Sequence, residues 1–176
     1  MIGRYTAAVR SRLRSLALLA LAFAVIAAPA SATDPDPDPD SVAILGYWLS
    51  DLKKVVVEIY SCEDELCGRI VWLAKPYRSS GELKRDKKNP DPALRDRGWC
   101  GIEVITGLKP ARDGFWRRGR FYYPKKGRSF DIDIELKKGD RLELRVYLAI
   151  RLLGTSKIWT RPEPGQTLDC APAPES

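Results

Sequence analysis

Phe130-Asp131-Ile132-Asp133-Ile134-Glu135-Leu136-Lys137-Lys138-Gly139-Asp140-Arg141-Leu142-Glu143-Leu144-Arg145-Val146-Tyr147-Leu148 is the stretch that decides the fold. Apolar side chains recur at every second position on both sides of Lys137-Lys138-Gly139-Asp140. That period places one row of each segment on a buried face and the other in solvent, as in a β-strand. The Gly-containing break between them is a hairpin turn. A second hairpin is predicted from Val55–Ser61 and Gly68–Ala74, turning around Cys62-Glu63-Asp64-Glu65-Leu66-Cys67. Ile44–Leu49, Ile102–Thr106, Phe115–Tyr123 and Thr155–Arg161 complete eight candidate strands. Only the stretch after Asn89-Pro90-Asp91-Pro92 reads as helical, with Asp91 as N-cap and Pro92 at the first helical position.

Eight consecutive strands, mostly joined as hairpins, predict an all-β, single, antiparallel up-and-down barrel with one short helix in a long loop. Closing a sheet on itself removes its exposed edges. A two-sheet sandwich is the alternative. Gly46-Tyr47-Trp48 opens the first strand and Trp159-Thr160-Arg161 closes the last. Strand direction alternates in a meander, so these two places share one end. There the Arg161 guanidinium can cover the Trp48 ring through stacking and cation–π attraction.

Gly46-x-Trp48 with Arg161 resembles the signature of the lipocalin and wider calycin barrels. Cys67-Gly68-Arg69-Ile70-Val71-Trp72, Asn89-Pro90-Asp91-Pro92, Tyr123-Pro124 with Gly127, and Trp159-Thr160-Arg161 extend the likeness. Together, from about Gly46 to Arg161, they resemble the exported bacterial family named domain of unknown function 2147. The resemblance implies a lipocalin-like barrel and brings no biochemical role with it. Where that family tends to place Gly after the Arg of the seventh strand, this chain has Val146.

The N-terminus reads as an export signal. Arg4, Arg10, Arg12 and Arg14 precede the apolar run Leu16–Ala28, and Pro29-Ala30-Ser31-Ala32 supplies a small-residue cleavage site. The run is shorter than the roughly 18 apolar residues that a membrane span needs. The expected organisation is therefore a signal peptide over 1–32 and an acidic Asp/Pro linker over 33–40. The barrel domain then covers 41–170, with a flexible tail over 171–176. The expected location is periplasmic or secreted, with no transmembrane segment once the signal is removed. All four Cys lie in the exported part, where an even count reads as two disulfides. Cys62 and Cys67 are neighbours in almost any fold, and Cys100 pairs with Cys170 by elimination.

The chain holds 30 Lys+Arg and 23 Asp+Glu; four Arg leave with the signal, so the mature net charge is +3. In an alternating meander, the connections Asp51–Lys54, Lys75–Gly98, Pro124–Arg128 and Ala149–Gly154 share the end opposite the Trp48–Arg161 plug. They carry 14 Lys/Arg against five Asp/Glu, or +9, whereas the plugged end carries four against five. The expected basic mouth includes Lys84, Arg85, Lys87, Lys88, Lys125, Lys126 and Arg128. The long Lys75–Trp99 connection reads as a binding loop or as a solvated flap over the rim.

No His occurs, which excludes His-based triads and His metal sites. A G-x-S-x-G elbow, a phosphate loop and a dinucleotide fingerprint are also absent, as is any nucleic-acid-binding signature. No cofactor or metal is expected. Asp86 and Asp91, conceivable carboxylate catalysts, sit in a Lys-rich loop where solvation and helix capping explain them better. Ligand-contact candidates are Trp72, Trp116, Arg118, Arg120 and Tyr122. The last four share one face of the fifth strand, and that face can point in or out. The expected function is non-enzymatic binding of a small hydrophobic or amphipathic, acidic ligand in the barrel, with anionic envelope lipid among the candidate partners. The alternative is a protein–protein module, such as an inhibitor or assembly accessory, whose barrel its own side chains fill.

Overall fold

The computed structural model describes residues 43–166, 168 and 170. The expected signal peptide, linker and residues 171–176 lie outside the described residues. Eight strands form: β1 (Gly46–Leu49), β2 (Val55–Cys62), β3 (Glu65–Leu73), β4 (Glu103–Arg112), β5 (Phe115–Tyr123), β6 (Arg128–Lys137), β7 (Arg141–Tyr147) and β8 (Thr155–Thr160). Each pairs antiparallel with its neighbour in sequence, and β8 returns to β1, closing an up-and-down barrel. The sandwich alternative is thereby excluded.

The β6–β7 hairpin behaves as its alternation dictates. Seven successive pairs run unbroken from Asp131↔Tyr147 to Lys137↔Arg141. Ile132, Ile134, Leu142 and Leu144 are fully or almost fully buried. They join Trp48, Ile59, Ile105, Leu108 and Trp116 in one interior cluster. β4 runs longer than the sequence predicts. Gly107 takes a left-handed φ of 71° that only glycine adopts without strain. The strand then continues through Leu108, which is fully buried, to Arg112. The expected helix is a single 3-10 turn over Pro92–Leu94, capped by Asp91, whose Oδ1 accepts from Ala93 N at 2.9 Å.

In β5 the structure corrects the expected shared face. Trp116 pairs with Ile134 and Gly119 with Ile132, so Arg117 and Arg118 together oppose Asp133. This is a β-bulge, and it shifts the parity of everything that follows. Arg118 adopts φ 63°, and its N–H donates to Asp133 Oδ1 at 3.2 Å. Gly119 faces the interior, where a Cβ would come within 2.5 Å of Leu108 Cγ. Trp116 therefore points inward, while Arg118 and Arg120 are exposed on the outside.

One end of the barrel is sealed as expected. Arg161 Cζ lies 3.7 Å from the Trp48 ring centroid. Arg161 also donates to the Leu45 and Tyr47 carbonyls at 3.1 and 3.3 Å, and to that of Ala43. Trp48 Nε1 donates to Ile44 O at 2.7 Å. Gly46 holds φ 98°, and a Cβ there would sit 3.5 Å from the Arg161 guanidinium. Both expected disulfides form, Cys62–Cys67 and Cys100–Cys170, with Cα separations of 5.8 and 5.5 Å. The second runs the segment after β8 back along the barrel. It closes a loop worth roughly 4 kcal/mol in the chain-entropy model.

Arg161→Ala removes stacking and three backbone contacts together, so denaturant unfolding should show a loss on the order of 1–3 kcal/mol. An unchanged midpoint would contradict a sealing role for Arg161.

Candidate functional site

The four connections at the end opposite the plug hold the site, and the longest of them is organised by a buried carboxylate. Asp86 is completely buried. Its Oδ1 accepts from the Tyr122 hydroxyl at 2.5 Å, and its Oδ2 from Asn89 Nδ2 at 2.7 Å. Arg97 adds Nε and Nη2 to Oδ2 at 3.1 and 3.0 Å. A carboxylate removed from water is tolerated when donors surround it. Asn89, held at Asp86, also donates to the Tyr122 hydroxyl at 3.0 Å. Its own Oδ1 receives Asp91 N at 2.9 Å, and its carbonyl receives Arg95 Nε at 2.8 Å. The Asn89-Pro90-Asp91-Pro92 motif is thus the turn that folds the loop around Asp86.

This anchoring presses the loop against the β5–β6 turn. A Cβ on Gly127 would lie 1.8 Å from Lys88 O, so only glycine permits the approach. Between the two lies a concavity of about 240 Å³ lined by Arg78, Lys84, Arg85, Lys87, Lys88, Trp99, Pro124 and Lys125. Trp99 is half-buried, with Nε1 donating to Arg85 O at 3.0 Å, and Lys84 Nζ stands 5.7 Å from its ring centroid. Among the described residues no carboxylate lies within 4.0 Å of Lys84, Lys87, Lys88 or Lys125. Burial lowers the Lys84 pKa, and the neighbouring Lys75, Lys125 and Lys54 lower it further.

Lys84, Arg85, Lys87, Lys88 and Lys125 thus meet in one place, while Lys126 and Arg128 are exposed beside them on the β5–β6 turn and the start of β6. The five ligand-contact candidates do not share a site. Trp116 is part of the interior packing. Arg118 belongs to the bulge, and Arg120 pairs with Asp131 outside the barrel. Tyr122 serves Asp86. Trp72 is half-buried and pairs with Val56, on the face opposite to the interior residues Val55 and Val57. A second concavity, about 470 Å³, opens at the plugged end beside Arg161 and Pro162. Among the described residues no group of three or more Cys, Asp or Glu could hold a metal ion.

Sequence reading missed a second buried carboxylate, Asp133, which is 1% exposed although its strand parity points outward. Arg151 Nε reaches its Oδ2 at 2.6 Å and the Tyr147 hydroxyl its Oδ1 at 3.3 Å. Alternation alone signals a solvated residue there. Only the bulge and the β7–β8 connection bury it.

Asp86→Asn keeps the shape but replaces a charged acceptor, at a cost on the order of 2–3 kcal/mol. Hydrogen exchange should quicken at Asp86, Asn89 and Trp99 and stay unchanged in β6 and β7; retained protection would contradict the anchoring. Burial and then the Asp86 carboxylate raise the Tyr122 phenol from the ordinary 10.0 to about 12. Its contribution to stability is therefore fully present below pH 10 and is lost as pH climbs toward 12. Spectrophotometric titration of the native tyrosines should show this late-ionising group, and Asp86→Asn should bring it earlier.

Residues 46–161 match a family model described as "Uncharacterized protein conserved in bacteria (DUF2147)". Among solved structures the chain is similar to protein HP1028 of Helicobacter pylori, described as belonging to the lipocalin family. The TM-score is 0.60 and the identity 19%, over 68% of this chain and 83% of that one. No curated protein matches the sequence. That structural likeness supports the fold alone, whereas the family match covers most of the barrel domain: the chain belongs to the DUF2147 family, built on a lipocalin-like barrel.

Proposed function

We propose that the domain is an exported, non-enzymatic binding protein that takes an acidic, amphipathic small molecule at the basic open end of its barrel. The observation that carries this reading is the concavity beside Trp99, where Lys84, Arg85, Lys87, Lys88 and Lys125 converge and, among the described residues, form no salt bridge within 4.0 Å. Burial and then repulsion from Lys75, Lys125 and Lys54 lower the Lys84 pKa, and a guest carboxylate or phosphate relieves the repulsion. The half-buried indole offers its apolar portion a flat surface. Export is supported by the N-terminal sequence pattern and by two disulfides, which persist in oxidising compartments. Absence of catalysis is supported by the buried carboxylates: Asp86 and Asp133 are both committed as acceptors to fixed donors.

The filled interior favours a second reading. Trp48, Ile59, Ile105, Leu108, Ile132, Ile134, Leu142 and Leu144 are buried together in the cylinder that a hollow barrel keeps open. A filled barrel suits a protein–protein module in which the outer surface does the work.

Isothermal titration with dodecanoate and lysophosphatidylglycerol below micelle-forming concentrations separates the two. Wild-type protein should bind both acids more tightly than zwitterionic lysophosphatidylcholine. A Lys84→Glu/Lys88→Glu double variant should weaken binding at least tenfold, a loss of about 1.4 kcal/mol. The effect should shrink with salt, because the Debye length is only about 8 Å at physiological ionic strength. Binding should also fade at alkaline pH before the ordinary lysine range, as Lys84 loses its proton early. Equal binding by wild type and the reversed variant would refute the site, and absence of any small-acid binding would favour the protein–protein reading.

A further inference from the structure

The β7–β8 connection is the most apolar exposed feature among the described residues. Leu148 is 51% exposed, Ile150 56%, Leu152 84% and Leu153 78%. Scattered exposed leucines are ordinary, but four large aliphatic side chains within six residues mark an interaction surface. β7 is followed here by Leu148-Ala149-Ile150-Arg151-Leu152-Leu153, which no interior position of the barrel absorbs.

The connection is held outward by polar contacts from beneath. Ala149 takes a left-handed φ of 59°, and its N–H donates to Asp131 Oδ2 at 3.1 Å. Arg151 Nε reaches the buried Asp133 at 2.6 Å. Arg145 caps the turn from the adjoining strand, donating Nε to Arg151 O at 3.1 Å and Nη2 to Leu152 O at 2.8 Å. These bonds fix the 3-10 turn Arg151–Leu153 in the one conformation that turns Leu152 and Leu153 away from the barrel.

Cations flank this tip on both sides. In the closed strand order the β7–β8 connection lies between the β5–β6 turn, with Lys125 and Lys126, and the β1–β2 turn, with Lys53 and Lys54. Leu52 is 66% exposed on the latter, and Asp51 beside it is tied to β8 by Lys157 at 2.9 Å. An apolar protrusion with lysines to either side matches the layering of a bilayer interface, acyl chains beneath phosphate. We infer that the open end docks on an anionic lipid bilayer, with Leu152 and Leu153 inserted among the acyl chains and the flanking lysines on lipid phosphates. The Leu152–Leu153 tip lies outside the Trp99 pocket, and Lys125 is shared by the pocket lining and the flank of the tip, so substitutions at the two leucines test docking apart from the pocket.

The test is sedimentation with vesicles of phosphatidylcholine containing phosphatidylglycerol, using protein recovered in its exported form. Wild type should partition onto these vesicles, and less so onto pure phosphatidylcholine or at high salt. Leu152→Glu/Leu153→Glu should lower partitioning at least tenfold while leaving the melting temperature and dodecanoate binding unchanged. Leu152→Trp should show a blue-shifted emission on vesicles, quenched by lipids brominated in the acyl chain. Equal partitioning of wild type and the Leu152→Glu/Leu153→Glu variant would overturn the inference. So would a wild type that ignores anionic vesicles but self-associates, or holds a partner protein, through these leucines.

Discussion

The barrel depends on how its last strand is joined to its first. β1 is four residues long and meets β8 through a single register pair, Leu49↔Thr160, whereas β6 and β7 share seven. A seam this thin leaves backbone carbonyls of the segment around β1 without ladder partners, and buried polar groups must find them elsewhere. Arg161 supplies them. Its guanidinium reaches the carbonyls of Ala43, Leu45 and Tyr47 while its plane covers Trp48. One side chain thereby replaces part of a ladder and caps the core, a task suited to a planar, permanently charged fork. Asp140, 3.9 Å away on the β6–β7 turn, provides the nearest countercharge.

With that end sealed and the interior packed, the proposed binding falls to the opposite rim. The rim carries two kinds of surface, each fixed by a buried carboxylate. Asp86 gathers Tyr122, Asn89 and Arg97, and so sets the long loop and its lysines beside Trp99. Asp133 gathers the β5 bulge, Tyr147 and Arg151, and so sets the apolar tip. Buried acids surrounded by donors hold conformations that exposed loops of this length would otherwise lose. Both acids thus have a structural use that explains their burial.

Much of the architecture was legible in the chain. Alternation in 130–148 gave the hairpin, Gly46-x-Trp48 with Arg161 gave the sealed end, and the Cys spacing gave both disulfides. The location of the basic end followed from strand direction and loop charge. The β5 face was not legible, because the bulge at Arg117-Arg118 depends on Gly119 fitting between Leu108 and Ile132. That contact is tertiary and leaves no trace in the local pattern. Asp133 was hidden for the same reason. The exposed Leu148–Leu153 run was not legible either, because Leu148 continues the alternation of β7 and only the Arg145 and Asp131 contacts turn the run into solvent.

In the proposed function the filled barrel binds its guest through the open rim. Amide-resolved NMR titration with dodecanoate tests it most directly. Shift changes should be confined to the connections 75–99 and 124–128 that line the Trp99 pocket, with the tip 148–154 and the interior positions Trp116, Ile132 and Leu144 unmoved. Large changes at those interior amides, with the rim silent, would show a guest inside the cylinder and contradict the account.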